Sequence, residues 1–482
     1  MNRKRVFYTI GKIIMAEATM LLLPLIVSFI YGESCSMDFI ITIGIALAVG
    51  GLLMILFRTE NRVIYAKEGF VIVAGAWIAM SLIGALPFYI SGEIPSYIDA
   101  FFETVSGFTT TGASILTDVE AMSKGLLFWR SFTHWIGGMG VLVFVMAIIP
   151  NFSDRSIHLL RAEVPGPVVG KLVPRMKDTA KILYLIYVAM TVIEIILLLC
   201  GGMPFFDSVV HSFGTAGTGG FGIKADSIAG YSNYLQWVIT IFMLLFGVNF
   251  NIYYLLLIRH FKSVFKSSEV WCYFGIVGTS IAVITANIYP IYQDIADSLR
   301  LSAFQVSSII TTTGFATADF DLWPRLSKVV LMLLMFVGAC AGSTGGGLKV
   351  SRLMLLFKII KKELKRMIHP RSVGAVKMEG KKVDEKMQNG VLVYFALYVV
   401  LFGIMFGLLC FESFDIETNF SAVTACFNNI GPGLSLVGPA ANYSIYSSLS
   451  KIVLSGAMLL GRLEILPLII ALSPATWNKK YR

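Results

Sequence analysis

Ser106-Gly107-Phe108-Thr109-Thr110-Thr111-Gly112-Ala113-Ser114 has three counterparts further along the chain, built around Gly217-Thr218-Gly219-Gly220, Thr311-Thr312-Thr313-Gly314 and Asn428-Asn429-Ile430-Gly431. The last glycines of the four turns stand 108, 94 and 117 residues apart, so one unit of roughly a hundred residues recurs. Ahead of each turn lies a moderately apolar stretch: Ser96–Phe108, Phe205–Ala216, Asp297–Ile310 and Ile416–Phe427. Each is about a dozen residues long, too short to cross a bilayer, which takes about 20. Each opens near an acid (Asp99, Asp207, Asp297 or Glu417), which suits a helix N-terminus. A longer apolar segment stands on either side. The pattern predicts a half-length helix that re-enters and hands over to an irregular turn. Such backbone is tolerated at membrane depth only where it lines a wet cavity or is buried in protein.

Composition identifies the solvent. Of 482 residues, 56% are hydrophobic and only 14% charged, and mean hydropathy is +0.77. A soluble chain of this length carries more charge, so this is a polytopic membrane protein. Ten apolar segments are expected to span, at about 6–31, 37–57, 69–91, 123–149, 179–201, 233–258, 271–290, 326–360, 388–411 and 446–472. The eighth is overlong and interrupted by glycines. Met1–Arg5 and the apolar run after it could pass for a signal peptide, but the run is too long and ends in no small-x-small cleavage site, so it reads as a retained first span.

The net charge of +10 is distributed by side, which argues against nucleic-acid binding. With the N-terminus inside, most of the 39 basic residues fall on cytoplasmic segments: Arg3–Arg5, Arg58–Lys67, Arg155–Lys181, Arg259–Lys266, Lys349–Lys386 and Lys479–Arg482. Acids such as Glu33, Glu93, Asp118, Asp226, Asp319 and Glu412 gather on the other side. This asymmetry puts both termini in the cytoplasm and predicts a cation-concentrating outer face. The six cysteines form no Cys-x-x-Cys pair and the five histidines no ligand spacing, so metal enzymology, an organic cofactor and a nucleophile–base set are all unsupported.

The chemistry of the turns suits a monovalent cation. Carbonyl and threonine oxygens replace water around an ion, and glycine allows the backbone angles this needs. The preceding helix aims its partly negative C-terminus at the same place. The turns hold no carboxylate, whereas a divalent-selective filter would usually carry a ring of them. The ion is therefore expected to be potassium, held by Thr110, Thr111, Gly112, Thr218, Gly219, Gly220, Thr312, Thr313, Gly314, Asn429, Ile430 and Gly431.

These turns, with Gly338-Ala-Cys-Ala-Gly-Ser-Thr-Gly-Gly-Gly-Leu-Lys349 and Gly461-Arg-Leu-Glu464, resemble the Trk/Ktr/HKT superfamily of potassium transporters, most closely its bacterial TrkH branch, over essentially the whole chain. The resemblance implies an all-α polytopic membrane protein with four pseudo-fourfold membrane-pore-membrane repeats around one ion pore, plus two N-terminal transmembrane helices. On this sequence the units are 1–67 for the N-terminal pair, then 68–160, 161–265, 266–380 (with a broken gate helix) and 381–482. It further implies gated potassium and rubidium uptake across the bacterial inner membrane, a homodimer, and a cytosolic, TrkA-like nucleotide-binding regulatory ring. The second turn departs from the Thr-Thr-x-Gly form. Its ion-facing glycine is Gly219 or Gly220, and Gly220 is preferred because Phe221 follows it as Phe315 follows Gly314.

Gly342-Ser343-Thr344-Gly345-Gly346-Gly347 lies inside the overlong eighth segment. It lacks the Gly-Lys-Ser/Thr register of a phosphate loop. A functionless kink is one reading; the preferred one is an intramembrane loop obstructing the pore beneath the filter, a gating role that the resemblance also assigns. Arg462 lies deep in the last segment, where a charge is costly unless it faces a partner or water. It is assigned to the gate, against carbonyls of this loop or the pore, with snorkelling to the headgroups as the alternative. Glu464, two residues on, is poorly placed to pair with it. Lys349, Arg352, Lys358, Lys361, Lys362, Lys365 and Arg366 form a basic helical face, read as a lipid anchor, a lever for the regulator, or both. Glu194, Arg130 and His134 are expected to make satisfied packing contacts between helices, in preference to the alternative of an ion-coupling site. The competing function is an ion-coupled secondary transporter of a small solute, which commonly uses inverted repeats; here all four units run in the same sense.

Overall fold

The computed structural model describes residues 1–59, 64–140, 176–371 and 374–477. Apolar runs of bilayer length become helices. Among the described residues six are long and apolar enough to cross a membrane: Arg3–Tyr31, Ser36–Leu56, Lys67–Ile90, Lys181–Cys200, Ser268–Tyr292 and Glu385–Leu409. The first is kinked into α1 (Arg3–Met20) and α2 (Leu22–Tyr31), because Pro24 has no N–H for the carbonyl of Met20. The next helix is α3 (Ser36–Leu56).

After this pair one order of elements recurs four times: long helix, short helix, turn, second helix. It first runs α4 (Ala66–Gly84) with α5 (Leu86–Ile90), then α6 (Tyr97–Phe108) and α7 (Lys124–Gly138). It next runs α8 (Met176–Cys200), α9 (Phe205–Gly217), α10 (Asn233–Phe246), α11 (Phe250–Leu257) and the short α12 (Phe261–Phe265). The third pass is α13 (Ser268–Tyr292), α14 (Ile295–Ile310), α15 (Arg325–Val337) and α16 (Val350–Ile368). The fourth is α17 (Glu385–Leu409), α18 (Ile416–Phe427), α19 (Ser448–Arg462), α20 (Leu466–Leu472) and α21 (Pro474–Trp477). A two-residue hairpin, Lys377–Met378 with Lys381–Lys382, joins the last two passes.

The second helices differ from plain spans. α10 and α11 meet at 91°, and α19 and α20 at 119°. The segment expected to span 326–360 is two helices, α15 and α16, separated by residues 338–349. The segment expected at 123–149 is helical to Gly138; residues 141–149 lie outside the described residues, as do Arg155, Arg161, Lys171, Arg175 and the tail from residue 478.

The distribution of polarity is that of a membrane protein. Ile40, Leu47, Leu52 and Ile55 on α3 are exposed, Ile55 by 75%, a face that hydrocarbon accepts and water does not. The centre is polar instead: α14 buries Ser302, Gln305, Ser307 and Ser308. The two N-terminal helices join through glycines. A Cβ on Gly11 would sit 2.9 Å from the Gly50 carbonyl, and one on Gly50 would sit 3.0 Å from that of Gly11. Without a hydrophobic drive between helices in lipid, such close backbone approach is what holds them. We expect Gly50→Leu to lower thermal stability in detergent by about 2 kcal/mol through overpacking, and an unchanged melting temperature would contradict this contact.

Candidate functional site

Four short helices converge. Three of their starts are fixed by polar caps: the Ser96 side chain accepts from Asp99 N, Asp294 from Ala296 N, and Asp415 from Thr418 N, while α9 begins after Pro204 without a side-chain cap. The acids singled out in the sequence, Asp99, Asp207, Asp297 and Glu417, occupy the first turns, where the helix dipole favours them. At the C-terminal ends the chain turns with one backbone signature. Thr110, Thr218, Thr312 and Asn429 take left-handed φ values of 55°, 55°, 60° and 57°. Two residues later Gly112, Gly220, Gly314 and Gly431 have φ of 80°, 73°, 87° and 96°. Gly219 is absent from the positive-φ set, so Gly220 is the conformational equivalent of the other three glycines. A left-handed β-branched residue costs roughly 1–3 kcal/mol and persists only where its surroundings impose it. Three threonines in this state, at matched positions, mark a built site.

The four turns close on one another. A Cβ on Gly112 would meet the Gly219 oxygen at 2.0 Å, one on Gly220 the Thr313 oxygen at 1.9 Å, one on Gly314 the Ile430 oxygen at 2.1 Å, and one on Gly431 the Thr111 oxygen at 2.7 Å. Each turn therefore leans on the next, and the fourth leans on the first. The result is a ring in which the carbonyls of Thr111, Gly219, Thr313 and Ile430 abut four glycines. No hydrogen bond from another described residue ends on these carbonyls. All four ring glycines line one cavity of about 180 Å³.

The charged residues lining that cavity are Arg130 and Lys224, not acids. The outer acids have other partners: Asp99 pairs with Lys451 at 2.7 Å, Asp321 with Lys328 at 3.2 Å, and Glu103 with Arg130 at 2.6 Å. Any attraction of cations comes from acids further out and from the carbonyls themselves.

Beneath the ring lie residues 338–349. Gly346 N donates to Thr312 Oγ1 at 2.6 Å, and a Cβ on Gly346 would sit 2.5 Å from the Asn428 carbonyl. A Cβ on Gly345 would lie 2.8 Å from Thr311 O. Phe250 N donates to Gly342 O at 3.0 Å, Cys340 N to Gly247 O at 3.1 Å, and Ala341 N to Glu269 Oε1 at 2.7 Å, which tie the loop to α11, to the break after α10 and to α13. Ser343 bonds back to Cys340 O at 2.6 Å, and Thr344 donates to Phe246 O at 3.3 Å. Gly342 and Gly347 adopt positive φ, which keeps this chain folded without helix. Arg462 Nη1 donates to Thr344 O at 2.7 Å, and Nη2 to Gly138 O at 2.7 Å and to Gly137 O. One guanidinium thus joins the loop, the end of α7 and the end of α19.

Several features were not anticipated. Three of the second helices end at a glycine near the ring, Gly138, Gly247 or Gly338, and the fourth ends at Arg462, one residue past Gly461. A Cβ on Gly137 would lie 1.9 Å from Phe108 O, and one on Gly461 2.2 Å from Phe427 O, so these helix ends touch the ends of the short helices. The expectation singled out only the third break, since the others lie within uninterrupted apolar runs. Lys349 and Arg352 do not belong to an exposed basic face. Lys349 is buried with Nζ bonded to Gly345 O, while Arg352 pairs with Glu464 and lies over the Tyr394 ring at 4.3 Å. The exposed basic face starts further along α16, at Lys361, Lys365 and Arg366. Glu194 is buried beside Thr215, with no well-formed hydrogen bond to either oxygen, so it is not the satisfied contact expected.

Comparison with known proteins agrees with this architecture. The sequence profile of the TrkH family, described as a cation transport protein, matches residues 35–481. A Trk system potassium uptake protein, TrkH, of Salmonella typhimurium is 36% identical over 99% of this chain and 100% of its own length. The Escherichia coli K12 Trk system potassium uptake protein TrkG is 34% identical over 97% of each chain. The crystal structure of the potassium transporter TrkH from Vibrio parahaemolyticus superposes with a TM-score of 0.89 at 32% identity, covering 99% of this chain and 100% of that one. With four re-entrant helices meeting in one ring, and likeness extending over nearly every residue, this all-helical multi-span membrane protein belongs to the TrkH family of cation transport proteins.

Proposed function

We propose that the chain is the membrane component of a Trk-type potassium uptake system, passing potassium and rubidium through the carbonyl ring. The observation that carries this is the ring itself, four buried carbonyls that accept nothing from the described residues around them. A buried carbonyl without a donor is costly, and a weakly hydrated cation satisfies four at once. The short helices point their C-terminal dipoles at the same centre. On this reading residues 68–160, 161–265, 266–380 and 381–482 are four pseudo-fourfold repeats around one pore, and residues 1–67 flank it. Thr110, Thr111, Thr218, Thr312, Thr313 and Asn429 frame the ring with Ile430, Gly219 and the four glycines. Both termini face the cytoplasm of a bacterium, and the membrane potential, worth roughly 2.3 kcal/mol per charge per 100 mV, drives inward flow.

The loop Gly342–Gly347 and Arg462 form the gate in this reading. The loop crosses beneath the third and fourth turns, and the guanidinium beside it opposes a cation. The exposed basic face of α16 is the surface offered to a cytosolic nucleotide-binding regulator, and the working unit is a homodimer.

Rubidium uptake into liposomes holding the purified protein should be inhibited by potassium more strongly than by sodium, lithium or ammonium; no inhibition by potassium would overturn the ion assignment. Gly314→Ala should abolish uptake, because its Cβ meets the Ile430 carbonyl and the φ of 87° is strained for alanine; retained uptake would remove the ring from the ion's path. Arg462→Ala should raise flux without loss of selectivity. One charge at 4 Å in water is worth about 1 kcal/mol, so the rise should be about fivefold, and unchanged flux would count against the gate.

A further inference from the structure

We propose that Arg130 and His134 are positioning residues for the second turn of the ring and set how sharply it separates potassium from sodium. This rests on the reading of the ring as the ion site. The four turns are not braced alike. In the first, the Thr109 and Thr111 hydroxyls bond at 2.7 Å, and in the third Thr311 and Thr313 bond at 2.8 Å. In the fourth, Asn429 Nδ2 donates to Thr111 Oγ1 at 3.0 Å and Met458 O at 2.9 Å. The second turn has neither device. Gly217, Gly219, Gly220 and Gly222 make it the loosest of the four, and the Thr218 hydroxyl reaches only its neighbour's carbonyl at 2.6 Å.

Its brace comes from α7. The His134 ring occupies the space where a residue-219 side chain would lie, since a Cβ there would be 2.3 Å from the imidazole Cγ. That accounts for glycine at 219 where the other turns carry Thr111, Thr313 and Ile430. Phe221 N donates to His134 Nε2 at 3.3 Å, so the proton is on Nδ1, which donates to Gly107 O at 2.7 Å. One turn of α7 away, Arg130 Nη1 donates to Gly222 O at 2.8 Å, and its guanidinium carbon lies 3.5 Å from the centre of the Phe221 ring. Arg130 Nε is held in turn by Glu103 at 2.6 Å. Glu103 also receives Ser114 Oγ at 2.9 Å and Ile115 N at 3.0 Å, just beyond the first turn. A single buried ion pair thus fixes the exits of the first and second turns relative to each other. A ring of carbonyls favours the larger ion only if it resists closing around the smaller one, whether by size or by the field of a fixed number of dipoles.

The test is rubidium uptake into liposomes against rising sodium. In wild type, potassium competition checks the ring reading by itself, so its failure is separable from failure of the present proposal. Arg130→Lys keeps the charge but cannot reach Glu103 and Gly222 together. His134→Asn loses the acceptor for Phe221 N. In either variant sodium should inhibit rubidium uptake at a concentration lower by about tenfold, the effect of one lost hydrogen bond. Gly50→Leu, a packing change remote from the ring, should leave sodium inhibition at the wild-type value. Wild-type sodium inhibition in either folded variant overturns the proposal. So does a shift in Gly50→Leu equal to that of the α7 variants, or failure of both α7 variants to fold, since each would make these side chains merely structural.

Discussion

The structure depends on four backbone carbonyls being held deep in a membrane protein without hydrogen bonds from the described residues. Elsewhere in the bilayer such groups are paired within helices. Here Thr111, Gly219, Thr313 and Ile430 turn their carbonyls against the glycines of the next turn, and nothing larger than hydrogen fits at those contacts. The left-handed threonines before them are the conformational cost. Roughly 1–3 kcal/mol at each is sustained because the short helices behind are fully packed. Strain, burial and missing donors fall on the same dozen residues, as expected where a site is completed by a ligand from outside.

The rest of the fold follows from getting these turns to a common centre. A re-entrant helix must end beside a second helix that also ends there, or the backbones would collide. Glycine at 137, 247 and 461 lets each helix end lie directly on the ring's supports. The breaks after α10 and after α19 are short, three residues each. In the third pass the chain continues without helix from Gly338 to Lys349 and lies under the ring. Arg462 then has a use that explains its depth: it satisfies carbonyls freed where α7 and the loop stop being helical. The breaks and the buried arginine are one solution to the same backbone problem.

Much of this was legible beforehand. The four short helices fall within two residues of their expected limits, because an acid near the start and a threonine, glycine or asparagine turn at the end punctuate each of them. The preference for Gly220 over Gly219 rested on Phe221, and the φ values single out the same glycine. What could not be read was anything set by partners distant in sequence. The helix ends near Gly138, Gly247 and Gly461 carry no decisive local signal, since glycines are common in membrane helices. Lys349 and Arg352 continue the helical spacing of the basic face, yet Glu464 and Tyr394, about a hundred residues or fewer away, draw Arg352 inside. Within the acidic outer face the same holds for two acids, Glu103 and Asp99, which face cations from other helices, while Asp118, Glu120 and Asp226 stay exposed.

The departure of the second turn from the common form has the same kind of explanation. Read alone, Gly217-Thr218-Gly219-Gly220 is a weakened copy of its neighbours. In the fold the missing side chain at 219 is replaced by an imidazole from another segment, which lies where that side chain would lie and bonds Phe221 N after the gap and Gly107 O in the first short helix. The ring is therefore fourfold in its backbone and unequal in its support. Two turns are braced by their own threonines, one by an asparagine reaching across to the first, and one by the adjoining helix. A shared backbone signature with unequal bracing means that the four positions do not rest on the same support when the ring is squeezed, and the glycine-rich second turn has its support only as long as α7 stays docked against it.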